Sequence, residues 1–363
     1  FNAPTGQSLT YTAVSPISSI GQAGSIFPTT TFTVTKSGNT LSGTAVITGL
    51  PAGITSTQSY NNNSPNNILT ITLSGVYPSA NSVGTNLVIS GLTAVAALTV
   101  EYLVVAGGGG AGGAGGGGGG GGYLTNFGGT GFLTELATNY TLTIGGGGAG
   151  GDGGSRALAS AGVDSIFSTI TSTAGGAGAG FNNNASSTMS GGSGGGGANS
   201  PGSNLYIIGG LGNAQGNDGG RGYRTNSGYN ACGGGGGAGS AGADGSGTGS
   251  SPIAGVGGNG LANLITGSSV TYSTGGVGAA ETGSSGTPSN AAANSGDGGN
   301  QVNNASMQVN GANGGSGVVI LRYINTETIT NPGSGLTFST ATDGSDKVTT
   351  FTAGTGNIQF NPN

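Results

Sequence analysis

The 363-residue chain has no histidine, no tryptophan and a single cysteine, Cys232. Without histidine there is no imidazole to act as general base or to activate a nucleophile. A Cys/His zinc site is excluded as well. A lone cysteine cannot form a disulfide within the chain. Cys232 sits in NACGGGGG, a neutral stretch that offers no base to make a reactive thiolate, so a small packed residue is expected there. Charge is sparse too, with six Lys plus Arg against eleven Asp plus Glu, a net −5 at pH 7. That balance gives no grip on a phosphate backbone, and no nucleic-acid partner is expected. No apolar run approaches the ~20 residues that cross a bilayer. No basic amphipathic segment suits a membrane surface, and no secretory leader is recognisable. No membrane insertion is expected. The chain starts at Phe1 rather than Met, so processing, or a start that is not shown, is the expectation.

What the chain does have is glycine, 87 residues of it, while apolar residues make up 33%. That apolar share is low for a globular protein, and the length suits two or three domains. Val, Ile, Leu and Phe are concentrated in residues 1–100 and in short islands later; the first hundred carry them in TFTVTKSG (Thr31–Gly38), LSGTAVITGL (Leu41–Leu50), ILTITLSG (Ile68–Gly75) and NLVISGLTAV (Asn86–Val95). Period-two alternation of β-branched residues indicates half-buried strands, and SGN, PAG and NNNSPNN mark turns between them. The strand spacing predicts an antiparallel β-sandwich of immunoglobulin-like type for docking or assembly. Residues 101–323 are glycine-dominated. They open with EYLVVAG (Glu101–Gly107) and close with GVVILRY (Gly317–Tyr323), two continuous apolar runs of the kind buried on both faces. These predict neighbouring strands, with Val104 and Val105 beside Val318 and Val319. Residues 324–363 read as a small β unit with a turn at DGSD, pairing with residues 1–100 or with another copy. The predicted fold is mostly β plus irregular structure, with almost no α-helix.

Glycine costs ~1 kcal/mol per residue in a helix relative to alanine and offers a sheet no side chain to pack. Collagen needs a strict Gly-X-Y period and abundant proline, and the chain has 11 prolines and no such period. A polyproline-II-type helix remains, with three residues per turn and no internal hydrogen bonds. Several such rods can satisfy one another's N–H and C=O groups when no side chain blocks their approach. Non-glycine residues should then recur at threes on outward faces, as in Ala111 and Ala114, or Ala149 and Asp152. The tract from Gly107 to Gly122 would be a rod of roughly 50 Å at ~3.1 Å per residue. FNNNASSTMS (Phe181–Ser190) would turn at a rod end.

YLVVAGGGG, SSVTYSTGG and GGSGVVILRY resemble the glycine-rich domains of bacteriophage tail-fibre, adhesin and other virion-surface proteins, and KVTTFTAGTGNIQF is similar to the β stretch that often accompanies such domains. The resemblance covers about Glu101–Tyr323. It implies polyglycine-II-like bundles whose tips contact host receptors. It also implies a virion-surface location, other virion structural proteins as partners, a host glycan or outer-membrane protein as receptor, and a multi-copy or homo-oligomeric assembly.

No enzymatic chemistry stands out, and no cofactor is expected. GxGxxG recurs too often to mark a dinucleotide site, and neither lysine follows a P-loop pattern. Asp152, Asp218, Asp244 and Asp297 lie in GDGG, NDGG, ADGS and GDGG, but the tandem nonapeptides of a calcium β-roll are missing. Tight-turn residues at rod ends are the expected role, and no metal site is expected. NDGGRGYRTNSGYN (Asn217–Asn230) concentrates aromatic and basic side chains. Candidate receptor contacts are therefore Arg221, Tyr223, Arg224 and Tyr229, with Phe181, Asn182, Asn183 and Asn184 from the interrupting segment. The alternative is structural: Tyr capping a rod end and Arg bonding exposed carbonyls.

Overall fold

Side-chain type divides this backbone into two kinds of strand. Thr, Val, Ile and Phe build β-ladders, and glycine builds extended rods. The computed structural model describes residues 9–12, 26–37, 41–42, 46–48, 50, 53–61, 66–76, 88–90, 93–94, 97–181, 187–199, 208–283 and 286–363. Asn182, Asn183 and Asn184 fall outside them. The described residues are mostly β, with one 3-10 turn at Ser187–Met189 and no α-helix. They form two compact units, Phe1–Leu98 with Leu133–Leu136, and Thr99–Phe132 with Ala137–Asn363.

The first unit contains β1 (Leu9–Thr12), β2 (Ile26–Ser37), β3 (Leu41–Ser42), β4 (Val46–Thr48), β5 (Ile54–Asn61), β6 (Asn66–Val76), β7 (Val88–Ser90) and β8 (Thr93–Ala94). The antiparallel order β1-β2-β6-β5 makes one sheet, while β3 pairs with β8 and β4 with β7. In ILTITL the period-two expectation holds: Leu69, Ile71 and Leu73 are buried, and Thr70 and Thr72 are half-buried. Thr134 Oγ1 donates to the Leu98 carbonyl at 3.1 Å within this unit.

β9 (Ala97–Val105) and β11 (Phe132–Glu135) straddle the division between the units, and the ladders of the second unit continue with β10 (Tyr123–Thr125), β12 (Tyr140–Thr143), β13 (Ser165–Phe167) and β14 (Ile170–Ser172). Three short hairpins follow, β15 (Tyr223–Arg224) with β16 (Asn230–Ala231), β17 (Ser246–Thr248) with β18 (Ser251–Ile253), and β19 (Leu261–Asn263) with β20 (Val270–Tyr272). β21 (Val318–Ile324), β22 (Glu327–Thr330), β23 (Leu336–Asp343) and β24 (Asp346–Pro362) complete it. The main sheet runs β10-β9-β21-β24-β12-β13-β14. As the two apolar runs foretell, β9 and β21 are antiparallel neighbours, with Val104 opposite Val319 and Val105 opposite Val318. Both faces are covered. Leu103, Val105, Val318 and Ile320 pack on Ile265, Tyr272 and Val348. The other face carries aromatic contacts, including Phe132 on Phe167 at 5.3 Å and Tyr323 on Phe360 at 5.4 Å between ring centroids. Such pairs contribute ~0.5–1.5 kcal/mol beyond the area they bury.

The expectation that residues 324–363 pair with residues 1–100 or another copy is corrected. β24 lies between β21 and β12 in this same sheet. Its Phe351, Ile358 and Phe360 are buried there, and that burial decides the pairing. Arg322 fastens the β23–β24 turn to β21 through Asp343 at 2.7 Å and Asp346 at 2.9 Å.

From this sheet the glycine segments project as a lattice of rods. Rod 106–112 shows the rule. Gly107 N donates to Val163, Gly108 N to Gly315 and Gly109 N to Gly119; three residues on, Gly110, Ala111 and Gly112 repeat the cycle to Ser160, Ala312 and Gly116. Its carbonyls accept in turn from Gly175, Gly148 and Gly299. Six rods therefore surround it, as a three-fold helix without internal hydrogen bonds permits. Across the lattice the rods stack in layers of three: 208–212, 216–222 and 239–245; then 191–198, 232–238 and 254–260; then 173–180, 116–122 and 273–280; then 157–163, 106–112 and 295–304; then 145–151, 308–317 and 286–292. Ordering one residue costs ~1–2 kcal/mol and a backbone hydrogen bond returns a net ~1 kcal/mol. Hydrogen bonds alone do not offset that cost, so the close packing of the rods and the buried apolar groups supply the rest.

Two expectations for the tract are corrected. Residues 107–122 are not one 50 Å rod. The chain folds back at Ala114 (φ 51), and its arms, 106–112 and 116–122, run antiparallel for roughly 20 Å each at ~3.1 Å per residue. Ala111 and Ala114 do not face outward but are buried, because both arms occupy the centre of the lattice. The period of three appears instead on the outer rods, where Ala149 and Asp152 are exposed as expected.

Outer rods lack neighbours on one side, and side chains stand in for them. Thr274 N, Val277 N and Ala280 N donate to Asp297, Asn300 and Asn303 Oδ1 at 2.7–3.0 Å. Gly150 N and Gly153 N likewise reach Asn313 and Asn310 at 2.8 and 2.7 Å. Spacing by three matches the helical turn. Burial raises the Asp297 carboxyl above its usual 3.8, and hydrogen bonds from Thr274 and Ser295 only partly offset that. A raised acid pKa means that the folded state holds its proton more tightly, so this group's contribution falls as pH rises from 3.8 through the folded value. Asp297→Asn keeps the acceptor and removes the charge. Its melting temperature is expected to exceed wild type at neutral pH and to converge with it below pH ~3.8. A thermal melt series at several pH values checks this; a variant less stable at neutral pH counts against it.

Candidate functional site

The lattice has two ends. One is the β9–β21 sheet. The other collects the Ala114 turn, the 152–156 turn, Phe181, Met307 and the hairpins β15–β16 and β17–β18. Here, where rods stop and backbone neighbours run out, an apolar cap takes over. Ala114, Ala179, Phe181, Met189, Ala198, Cys232, Ala279 and Met307 form one buried cluster, with Leu158 packed against it. Phe181 is only 3% exposed, and the Arg156 guanidinium lies 4.8 Å from its ring centroid. Arg156 Nε also donates to the Met307 carbonyl at 3.3 Å. Phe181 as a receptor contact is thus corrected: its ring is part of the buried cap that plugs the bundle end, and burying it is its favourable state. Asn182, Asn183 and Asn184 lie outside the described residues. The Cys232 thiol, 3.8 Å from the Ala114 carbonyl oxygen, is pushed up to about 12 by burial and stays protonated and inert.

Tyr223, Arg224 and Tyr229 are brought together in the β15–β16 hairpin, with Tyr223 opposite Ala231 and Arg224 opposite Asn230. Its turn is closed by Thr225 N to the Tyr229 carbonyl at 2.8 Å and Gly228 N to the Thr225 carbonyl at 2.9 Å. Gly228 has φ +90, the left-handed region where glycine is at ease. Arg224 Nε donates to the Gly228 carbonyl at 3.1 Å, and Tyr229 remains 38% exposed. A second hairpin is tied to the first: Thr225 Oγ1 donates to the Gly249 carbonyl at 2.7 Å, and Gly249 N to Asn226 Oδ1 at 3.0 Å. Arg221 is not in the hairpin but exposed on the flank of its rod, its N–H donating to Asp244 Oδ1 at 2.7 Å.

The aspartates sort differently from the turn role expected of all four. Only Asp152 turns the chain, accepting from Ser155 N and Oγ at 2.7 Å each; those bonds hold its carboxyl below the usual value. Asp218, Asp244 and Asp297 accept backbone N–H groups along rods, because an outer rod needs acceptors along its length as well as at its ends. Among the described residues no three His, Cys, Asp or Glu side chains gather as a metal site. Sequence reasoning also passed over Arg156, Met189 and Met307. They are single residues scattered in small-residue stretches, and only the lattice brings them together.

A rod lattice closed by a β-sheet at one end and capped by hairpins at the other defines a polyglycine-II bundle protein. The chain belongs to the glycine-rich domain family, whose model matches residues 89–324. No curated protein and no solved structure matches it. Among the described residues no helix is long and apolar enough to cross a membrane.

Proposed function

We propose that this chain is a non-enzymatic structural and adhesive protein of a bacteriophage virion surface, a tail fibre, adhesin or capsid decoration. The carrying observation is the end of the bundle. A rod lattice whose interior hydrogen bonds are satisfied holds two linked hairpins, which carry an exposed Tyr229 beside half-buried Tyr223 and Arg224. Rigid aromatic and guanidinium groups on a preorganised turn suit contact with a host glycan or outer-membrane protein, and many copies would supply avidity. The immunoglobulin-like reading of residues 1–100 gives the docking module, toward other virion proteins. A second reading, a sheath or capsid-exterior subunit with no ligand, draws support from Arg224 spending its Nε on Gly228 within its own hairpin.

The test is the double variant Arg224→Ala, Tyr229→Ala in assembled particles. Host adsorption is expected to fall at least ~10-fold with particle composition unchanged, since anchor residues of this kind each contribute ~2 kcal/mol or more. Adsorption equal to wild type would leave only the ligand-free reading. The segment Phe181–Ser190 is unsuitable for such a test, because Phe181 and Met189 belong to the cap.

A further inference from the structure

The outermost layer of rods, 208–212, 216–222 and 239–245, differs in chemistry from the layer at the opposite side of the lattice. On the opposite side the outward positions are glycine, alanine and polar residues, among them Gly146, Ala149, Asn310 and Asn313, the last two accepting neighbouring backbone N–H groups, and none is a large aliphatic. Here the outward positions, three residues apart on each rod, are Ile208 and Leu211, then Asp218 and Arg221, then Ala241 and Asp244. Ile208 is 59% and Leu211 62% exposed, two aliphatic side chains three residues apart on the same outer rod. The Arg221 guanidinium has no partner among the described residues, whereas Arg156, Arg224 and Arg322 all have one.

Backbone hydrogen bonds fix how these residues lie. Gly219 N donates to the Gly210 carbonyl and Gly212 N to Asp218 Oδ1, so rods 208–212 and 216–222 are antiparallel. Leu211 is therefore level with Asp218, and Ile208 with Arg221. Rod 239–245 runs parallel to 216–222, with Gly242 N on the Asp218 carbonyl and Gly245 N on the Arg221 carbonyl. Ala241 is then level with Asp218, and Asp244 with Arg221.

We propose that this face binds the same face of a second copy of the chain. A two-fold axis lying in the face, across the rods and midway between Asp218 and Arg221, is the arrangement that the pattern fits. It sets Ile208 over Leu211 of the partner subunit, and Arg221 over Asp218 of the partner subunit, with the reciprocal contacts alongside. Apolar meets apolar and Arg221 meets Asp218 twice, while Asp244 comes over Ala241 of the partner subunit, a contact between unlike groups with no like charge opposed, which is the self-complementarity that an isologous interface requires. The other in-plane axis, along the rods, would lay Arg221 on its own copy and is disfavoured by like charge. The two bundles then lie antiparallel, with a hairpin end at each pole of the pair. The aliphatic pair supplies most of the affinity, and the charges set the register, because exposed ion pairs are individually weak.

The full-length protein is tested by sedimentation equilibrium over a concentration series, at low and high salt. Wild type is expected to be a dimer that dissociates more readily in high salt. Leu211→Lys and Arg221→Glu are each expected to raise the dissociation constant at least ~10-fold, and Ala149→Lys, on the opposite side, to leave it unchanged. Shielding of the Cys232 thiol from alkylation in each variant verifies that the lattice is intact. A monomeric wild type at ~100 μM, or an association that survives both substitutions in folded protein, overturns the proposal.

Discussion

Gly118→Ala is expected to prevent the bundle from forming. Gly118 lies in the second arm of the central tract, and a Cβ there would be driven into the carbonyl of Gly109, far inside any contact that real side chains make. The φ at Gly118 is not positive, so conformational freedom is not what alanine would lose. Space is what it would lose. Overpacking of ordinary cores costs ~1–3 kcal/mol, because side chains there can move aside. At Gly118 the obstacle is backbone, and the obstructing rod 106–112 is itself held by hydrogen bonds to six neighbours. A loss well above ~3 kcal/mol follows, close to the whole stability of a typical domain. Gly146→Ala is the matched control: its Cβ would meet nothing within 4 Å, and its φ is also not positive. It is expected to be neutral or to gain ~0.4–1 kcal/mol by restricting the unfolded chain. Thermal melts and limited proteolysis of the two variants decide the matter. If Gly118→Ala melts within a few degrees of wild type, close approach is not the reason for glycine.

Phe181→Ala is expected to loosen the far end without dissolving the lattice at once. Truncating a buried phenylalanine costs ~3–5 kcal/mol, and here it also strips Arg156 of the ring beneath it. Cys232 belongs to the same cluster and is the chain's only thiol. In wild type the thiol should react with an alkylating reagent only through full unfolding, since it is buried and held protonated. In the variant, local opening of the cap should expose it, and alkylation under native conditions should be at least ~10-fold faster. An unchanged melting temperature with an unchanged alkylation rate would mean that the cap contributes little.

The parts legible in the sequence were those with a local physical signature. EYLVVAG and GVVILRY announce buried strands by continuous apolarity, and their pairing at Val104 and Val105 with Val319 and Val318 follows from the need to close a loop-rich domain at one point. Packed three-fold rods follow from glycine's poverty as a helix or sheet former. The reversal at Ala114 was not legible, because an alanine with φ 51 carries no turn signal; its neighbours hold it there, with Gly115 N bonded to the Gly112 carbonyl and Gly116 N to that of Ala179. Nor was the burial of Phe181, since a ring beside polar residues reads as surface until the surrounding rods are placed. The acceptor rows at Asp297, Asn300 and Asn303 have a visible spacing. Its meaning depends on which rods are outermost, and that is a property of the assembled lattice.

The order in which the ribosome delivers these rods matters. Rod 106–112 emerges early, yet it donates to Gly315 and Ala312 and accepts from Gly299, and β9 must wait for β21. Until about residue 317 is out, the most central segment has no complete shell, and its free N–H and C=O groups can only be hydrated. Such long sequence separations make for slow closure. They make for slow opening too, since releasing any central rod means breaking bonds to rods on every side at once. A chain stopped short of β21 should therefore remain an unfolded, protease-sensitive polymer, and the finished bundle should owe much of its endurance to the rate at which it comes apart.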